Sequence, residues 1–185
     1  MTTPRIAPAA QPLDADVQKA IDDVMRGNPP LRLFTTMARD RRLFFRYFGG
    51  GLLDRGNLTL RQREIVIDRT TALCRAEYEW GVHITTFAAA AKLTDEQITS
   101  VTHGSSTDTC WEDDDRVLIE LADALHGSAT VDDELWARLE GGFSSEAILE
   151  LLLLVGFYHS TSFVVNGLAL PLEEGMARFA DYPSR

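Results

Sequence analysis

Apolar residues recur along most of this chain at the three- and four-residue spacing of a helix, and no stretch alternates apolar with polar positions as a half-buried strand does. Asp14 caps a predicted helix that runs to about residue 25, where Gly27 and Asn28-Pro29-Pro30 end it. Residues 31–48, rich in Leu, Phe and Arg, read as one or two helices before Gly49-Gly50-Gly51. Thr59 and Gln62 have the spacing of a capping box and open a helix from 60 to about 75, followed by another from about 77 to 92. Thr94 and Gln97 repeat the box for a short helix to about 102. Val117, Leu118, Leu121 and Leu125 mark one side of a helix over 112–126, with Gly127 as its expected C-cap. Thr130 opens a helix to 139, and Ser144 or Ser145 a long one to about 170, stopped by Pro171. A last short helix is expected over 173–179. The fold class is therefore all-α. Residues 1–12, with three prolines, read as an extended arm, and 13–185 as a single domain without an internal repeat.

Three of these helices carry polar residues where the pattern wants apolar ones. Leu60, Glu64, Ile67, Thr71 and Cys74 fall on one face of the first. Ala76, Trp80, His83, Phe87 and Ala90 do so on the second, and Leu152, Val155, His159, Ser162 and Asn166 on the long one, with Tyr158 beside it. A buried polar group costs a few kcal/mol unless it finds a partner, so such residues tend to meet one another or a ligand. There are bland readings too. Glu64 lies near a helix N-terminus, where the dipole favours a carboxylate. His83 reads equally as a satisfied core histidine, His159 and Asn166 as hydrogen bonds across a helix interface, and Tyr78 and Trp80 as packing. His103 and His126 lie near helix ends, and Cys74 reads as a small buried apolar residue.

Composition narrows the function classes. The 28 Asp+Glu against 18 Lys+Arg give a net charge of −10, a poor match to nucleic acid or to an anionic membrane. Two cysteines make no disulfide framework and no four-cysteine zinc site. No P-loop, GxGxxG, His-x₃-His or Gly-x-Ser-x-Gly pattern occurs, so neither a cofactor nor a metal is expected. The most apolar run, 148–157, covers about half of the ~20 residues of a membrane span. A cytoplasmic protein follows as the expectation. Arg39, Arg41, Arg42 and Arg46 concentrate positive charge, either as a solvated face or to meet the acidic run at 112–115 of a neighbouring subunit.

The segments Arg61-Gln-Arg-Glu-Ile-Val-Ile67 and Cys74-Arg-Ala-Glu-Tyr-Glu-Trp-Gly-Val-His83, followed by the small-residue stretch from Ala88, resemble the carboxymuconolactone decarboxylase family, which includes the AhpD-type alkylhydroperoxidases. The resemblance implies an AhpD-like helical bundle that assembles as a homo-oligomer, a trimer or hexamer, with its site around the two middle helices. It implies Glu64 and His83 as a proton relay. In the AhpD-type branch a C-x-x-C pair lies one turn before that histidine; here Ala76 and Glu79 hold those positions. A dithiol peroxidase needs an attacking and a resolving thiol within disulfide reach, so that activity is disfavoured.

The decarboxylase-like branch fits better: acid/base chemistry on a small carboxylated or lactone metabolite, a lyase. His83, Glu64 and Glu79 are the catalytic candidates. Trp80, Tyr78, Arg69 and His159 are candidates for substrate contact, with Arg69, Arg46 or Arg75 offsetting an anionic substrate. The reading from another class is a catalytically silent helical oligomer that binds a small ligand or a partner protein.

Overall fold

The computed structural model describes residues 3–184. Nine α-helices form among them: α1 (Ala15–Met25), α2 (Arg32–Met37), α3 (Arg41–Phe48), α4 (Leu60–Leu73), α5 (Glu77–Phe87), α6 (Asp95–His103), α7 (Asp113–Ser128), α8 (Asp133–Gly142) and α9 (Ser145–Gly167). A short 3-10 turn, Phe179–Asp181, follows, and no strand occurs among the described residues.

The local signals act where the sequence places them. Thr59 accepts from the Gln62 N–H while Gln62 reaches back to the Thr59 N–H, and Thr94 with Gln97 does the same for α6. Asp40, Asp132 and Ser144 cap α3, α8 and α9 through their side chains. Several ends differ from expectation: α5 stops at Phe87 rather than near 92, and Asp14 precedes α1 without a side-chain cap bond. Gly127 lies inside α7, and Ala129 takes the left-handed cap position. The cap of α8 is Asp132 rather than Thr130. Residues 173–178 form no helix, because tertiary bonds claim the segment's groups: Glu173 Oε1 accepts from Tyr78 and from the Arg32 N–H, the Ala177 N–H donates to Thr85, and the Phe179 N–H donates to Glu77.

Helix α4 is the central element and packs against α5, α6, α7 and α9. Every residue from Glu64 to Thr71 is buried, so that stretch presents no solvent face and its polar residues all lie inside. Ile65, Val66 and Ile67 join Trp80, Leu118, Leu121, Leu151, Leu154 and Tyr158 in the main core. Each such aliphatic side chain contributes about 1.5–3 kcal/mol on burial. Val17, Ile21 and Phe44 make a small separate core joining α1 to α3. Leu33, Ala76, Tyr78, Val82, Val165 and Leu170 form another, which ties α2 to α5 and α9.

The arm carries no helix from residue 3 onward, and residues 1–2 lie outside the described residues. Arg5 and Ala9 hold it to the body by donating to the carbonyls of Leu168 and Thr35. Arg41 pairs with Asp16 and Asp115 with Arg61 within the same chain, so neither is reserved for a neighbouring subunit. Helix α9, 23 residues long, is long and apolar enough by length and composition to cross a membrane. Here Ile148, Leu151, Leu154, Val155 and Tyr158 on its inner side build the core.

Candidate functional site

Two helices deliver the predicted pair to one point. Glu64 sits one turn into α4 and His83 two turns into α5, and Glu64 Oε2 accepts from His83 Nδ1 at 2.7 Å. Both side chains are buried, Glu64 completely. The second carboxylate oxygen of Glu64 accepts from Arg63 Nε at 3.1 Å. Glu64 is thus held from two sides, as a buried charge requires. On the opposite edge of the imidazole, Nε2 lies 3.0 Å from the Tyr158 hydroxyl, supplied by α9, and 3.6 Å from Glu79 Oε1, one turn earlier on α5. Phe87 and the Tyr158 ring flank the imidazole at 5.4 and 5.0 Å between centroids.

The electrostatics follow from this cage. Burial opposes a charged His83, but the Glu64 carboxylate against Nδ1, with Glu79 behind it, outweighs burial and lifts the histidine to about 10. The ring is therefore an imidazolium at neutral pH, with Nδ1–H on Glu64 and Nε2–H toward Tyr158 and Glu79. Burial, with Glu79 and Glu64 nearby, pushes the Tyr158 hydroxyl well above its ordinary value, so it remains a phenol and a donor. Asp68, one turn after Glu64, is also buried, and neither of its carboxylate oxygens has a hydrogen-bond partner. Burial and then Glu64 hold its proton far into the range where a free carboxyl has lost it.

A cavity of about 860 Å³ opens beside this cluster. Glu79, His83 and Tyr158 line it, whereas Glu64 and Asp68 do not. Its remaining lining is largely aromatic and apolar: Phe34, Tyr47, Phe48, Val82, Phe87 and Phe157, with Arg32, Asp54, Glu173 and Glu174 as charged members. Among the described residues the one arginine that lines it, Arg32, is already held by Glu173 at 2.7 Å.

The other predicted contacts lie elsewhere. Arg69 spends its guanidinium on Asp123 and on the carbonyls of Val101 and Gly104. Trp80 is fully buried against Phe179 and Tyr182. Tyr78 donates to Glu173 at 2.6 Å and accepts from the Leu33 N–H, joining α2, α5 and the C-terminal segment. His159 turns away to meet His126. None of these four lines the cavity, and neither do Arg46 and Arg75. Cys74 and Cys110 are partly exposed and also lie outside it. Tyr158 and Asp68 were missed as site residues. The buried face of α9 runs through Leu151, Leu154, Val155, Tyr158, Ser162 and Val165, one position round from the stripe drawn through His159, and that rotation is what hid Tyr158.

Residues 41–113 match the model described as the carboxymuconolactone decarboxylase family. No curated protein matches the sequence. Among solved structures, an uncharacterized peroxidase-related protein with an AhpD core from Ralstonia eutropha JMP134 is 18% identical, with 94% of each chain covered and a TM-score of 0.82. A peroxidase-related protein from Silicibacter sp. TM1040 is 18% identical, covering 98% of this chain and 97% of its own, with a TM-score of 0.75. A variant of the debrominase Bmp8, solved in complex with 2,3,4-tribromopyrrole, is 13% identical over 94% of each chain, with a TM-score of 0.76. The chain thus has the AhpD-like all-helical fold, and the segment that matches the carboxymuconolactone decarboxylase family model, 41–113, carries both Glu64 and His83.

Proposed function

We propose that this protein is a carboxymuconolactone decarboxylase-like enzyme that moves a proton at carbon in a small, largely apolar lactone or enolisable carbonyl compound. One observation carries the reading: a buried imidazole, clamped by a carboxylate from behind, presents its other edge with Tyr158 and Glu79 to an aromatic-walled cavity.

The roles divide by position. Glu79 lines the cavity, and its Oε2 is buried without a partner, which suits it to take a proton from the carbon next to a carbonyl. The C–H electron pair moves onto the carbonyl oxygen as the enolate forms. Tyr158, receiving a hydrogen bond from His83 Nε2–H, donates its own hydrogen to that oxygen. Return of the proton from Glu79 to a second carbon completes an isomerisation. Glu64 keeps His83 charged and oriented and takes no part in the transfer itself.

Binding a carboxylated substrate needs in addition a cation to offset its charge. The lining arginine is held by Glu173, so proton transfer is the part of the family's chemistry that the cavity equips best. A thiol peroxidase is disfavoured because neither cysteine lines the cavity. The tribromopyrrole bound by the debrominase of the same fold is likewise small, flat and apolar.

The test is a thermal-shift screen of lactones and cyclic enones, followed by proton NMR of each hit in D₂O. The wild type is expected to catalyse exchange or isomerisation at the carbon beside the carbonyl. Glu79→Gln should lose about 10²–10⁴-fold of the rate while keeping ligand binding. Binding without exchange in the wild type would make the protein a silent ligand carrier, and full activity in both Glu79→Gln and His83→Gln would remove these residues from the chemistry.

A further inference from the structure

A second cluster of reactive side chains lies outside the cavity, at the C-terminal ends of α4 and α7 and the middle of α9. The Sγ of Cys74 is 3.8 Å from His126 Nδ1, which in turn is 3.0 Å from His159 Nε2. All three atoms fall within 4.8 Å of one another. We propose that Cys74, His126 and His159 form a binding site for Zn²⁺, independent of the proton-transfer site.

The geometry is that of a tetrahedral ion with three protein ligands. Zn–N bonds of about 2.0–2.1 Å and a Zn–S bond of about 2.3 Å imply edges of roughly 3.3 Å between nitrogens and roughly 3.6 Å from sulfur to nitrogen. The two separations that involve His126 lie within a few tenths of an ångström of these edges, and the third, from Cys74 to His159, is within 4.8 Å. A thiolate with two imidazoles is also the donor set that a borderline-soft divalent ion selects over Mg²⁺ or Ca²⁺.

The surroundings prepare the donors. His159 Nδ1 donates to the Val155 carbonyl at 2.9 Å, which fixes its tautomer and leaves the lone pair on Nε2, the atom that faces the cluster. Asn166 donates to the Cys74 carbonyl at 2.9 Å and holds that residue's backbone against α9. Without an ion, His126 Nδ1 has at most one proton for its two neighbours, His159 Nε2 and the Cys74 sulfur. An ion satisfies all three at once, Cys74 releasing its proton to solvent as it binds. His126 is exposed, so the fourth position is reached by water or by a small external ligand.

Full-length protein, stripped with a chelator, is titrated with Zn²⁺ in competition with a chromogenic chelator, and separately with Co²⁺. One equivalent of Zn²⁺ per chain is expected, and the Co²⁺ form should show a sulfur-to-cobalt charge-transfer band with the strong visible bands of tetrahedral cobalt. Cys74→Ser and His159→Ala should each weaken Zn²⁺ binding by about 100-fold or more, since even outer partners of metal ligands are worth about 10–100-fold. Cys110→Ser and His103→Ala should leave it unchanged. A measurement on the wild type removes any dependence on how the variants fold: Zn²⁺ should protect Cys74, and not Cys110, from alkylation. Absence of stoichiometric binding, a cobalt spectrum without the sulfur band, no protection of Cys74, or equal loss in Cys110→Ser would each overturn the site.

Discussion

Three carboxyl groups and one imidazole occupy a few ångströms of the interior, and their different surroundings give them different tasks. Glu64 has both oxygens hydrogen-bonded, Glu79 has one buried oxygen free and faces the cavity, and Asp68 has neither oxygen partnered. Asp68 binds its proton in the folded chain at a pH where the unfolded chain has released it, so its burial lowers stability as pH rises above the ordinary carboxyl range. Asp68→Asn is therefore expected to stabilise the protein at pH 7, by on the order of 1–3 kcal/mol, the gain shrinking toward pH 4. Chemical denaturation at the two pH values checks this, and a loss of stability at pH 7 would mean that the carboxyl makes a bond the amide cannot. Glu64→Gln should act differently: it removes the charge that sustains His83, shifting the histidine downward and reshaping the pH profile of any turnover. Glu64 and His83 were legible in the sequence because each interrupts an apolar stripe, and Glu79 because it holds a cysteine position in the pattern that the chain resembles. Asp68 was not, since the face through Leu60, Glu64, Ile67, Thr71 and Cys74 leaves it out. Only burial on every side of α4 brings it in.

At the scale of elements, the capping boxes at Thr59 and Thr94 and the breaks at the proline and glycine clusters made the middle helices readable, because these signals act within four residues. The C-terminal segment was not readable for the converse reason. Its path is set by Tyr78, Thr85, Glu77 and Arg32, residues about 90 to 140 positions away in the chain. Gly81 shows how tight that docking is. A Cβ there would collide with the backbone carbonyl of Ala177, which has no flexible end to yield. Gly81→Ala is expected to displace the segment that contributes Glu173 and Met176 to the cavity, and to cost about 1–3 kcal/mol. A fall in melting temperature, together with faster amide exchange at residues 176–179, would support this docking. Unchanged exchange there would contradict it.

For the whole molecule, the two small cores on either side of α2 hang the N-terminal helices over the bundle, and the cavity lies between. Outside, α9 shows Leu149, Leu153 and Phe163 to solvent at 62, 64 and 68% exposure, an apolar stripe on an otherwise acidic chain. The homo-oligomer implied by the family resemblance is expected to close over this stripe. Leu153→Glu combined with Phe163→Glu should then lower the mass seen by light scattering, and an unchanged mass would place the contact elsewhere. Stability should also depend on pH through the buried pair. The folded His83 holds its proton up to about 10, against an ordinary value of 6.5. Its contribution is complete below about 6.5 and is lost as pH rises toward 10. Tyr47, Tyr78 and Tyr158, all raised, add to that loss only above the ordinary tyrosine value of 10.

The most direct test is ¹⁵N NMR of the histidine side chains between pH 5 and pH 11, with His83 assigned from the His83→Gln variant. Both ring nitrogens of His83 should remain protonated through neutrality and lose a proton only near pH 10, and in Glu64→Gln that loss should move to lower pH. A His83 that titrates near 6.5 in the wild type, or one indifferent to Glu64→Gln, would contradict the clamped imidazolium on which the proposed chemistry stands.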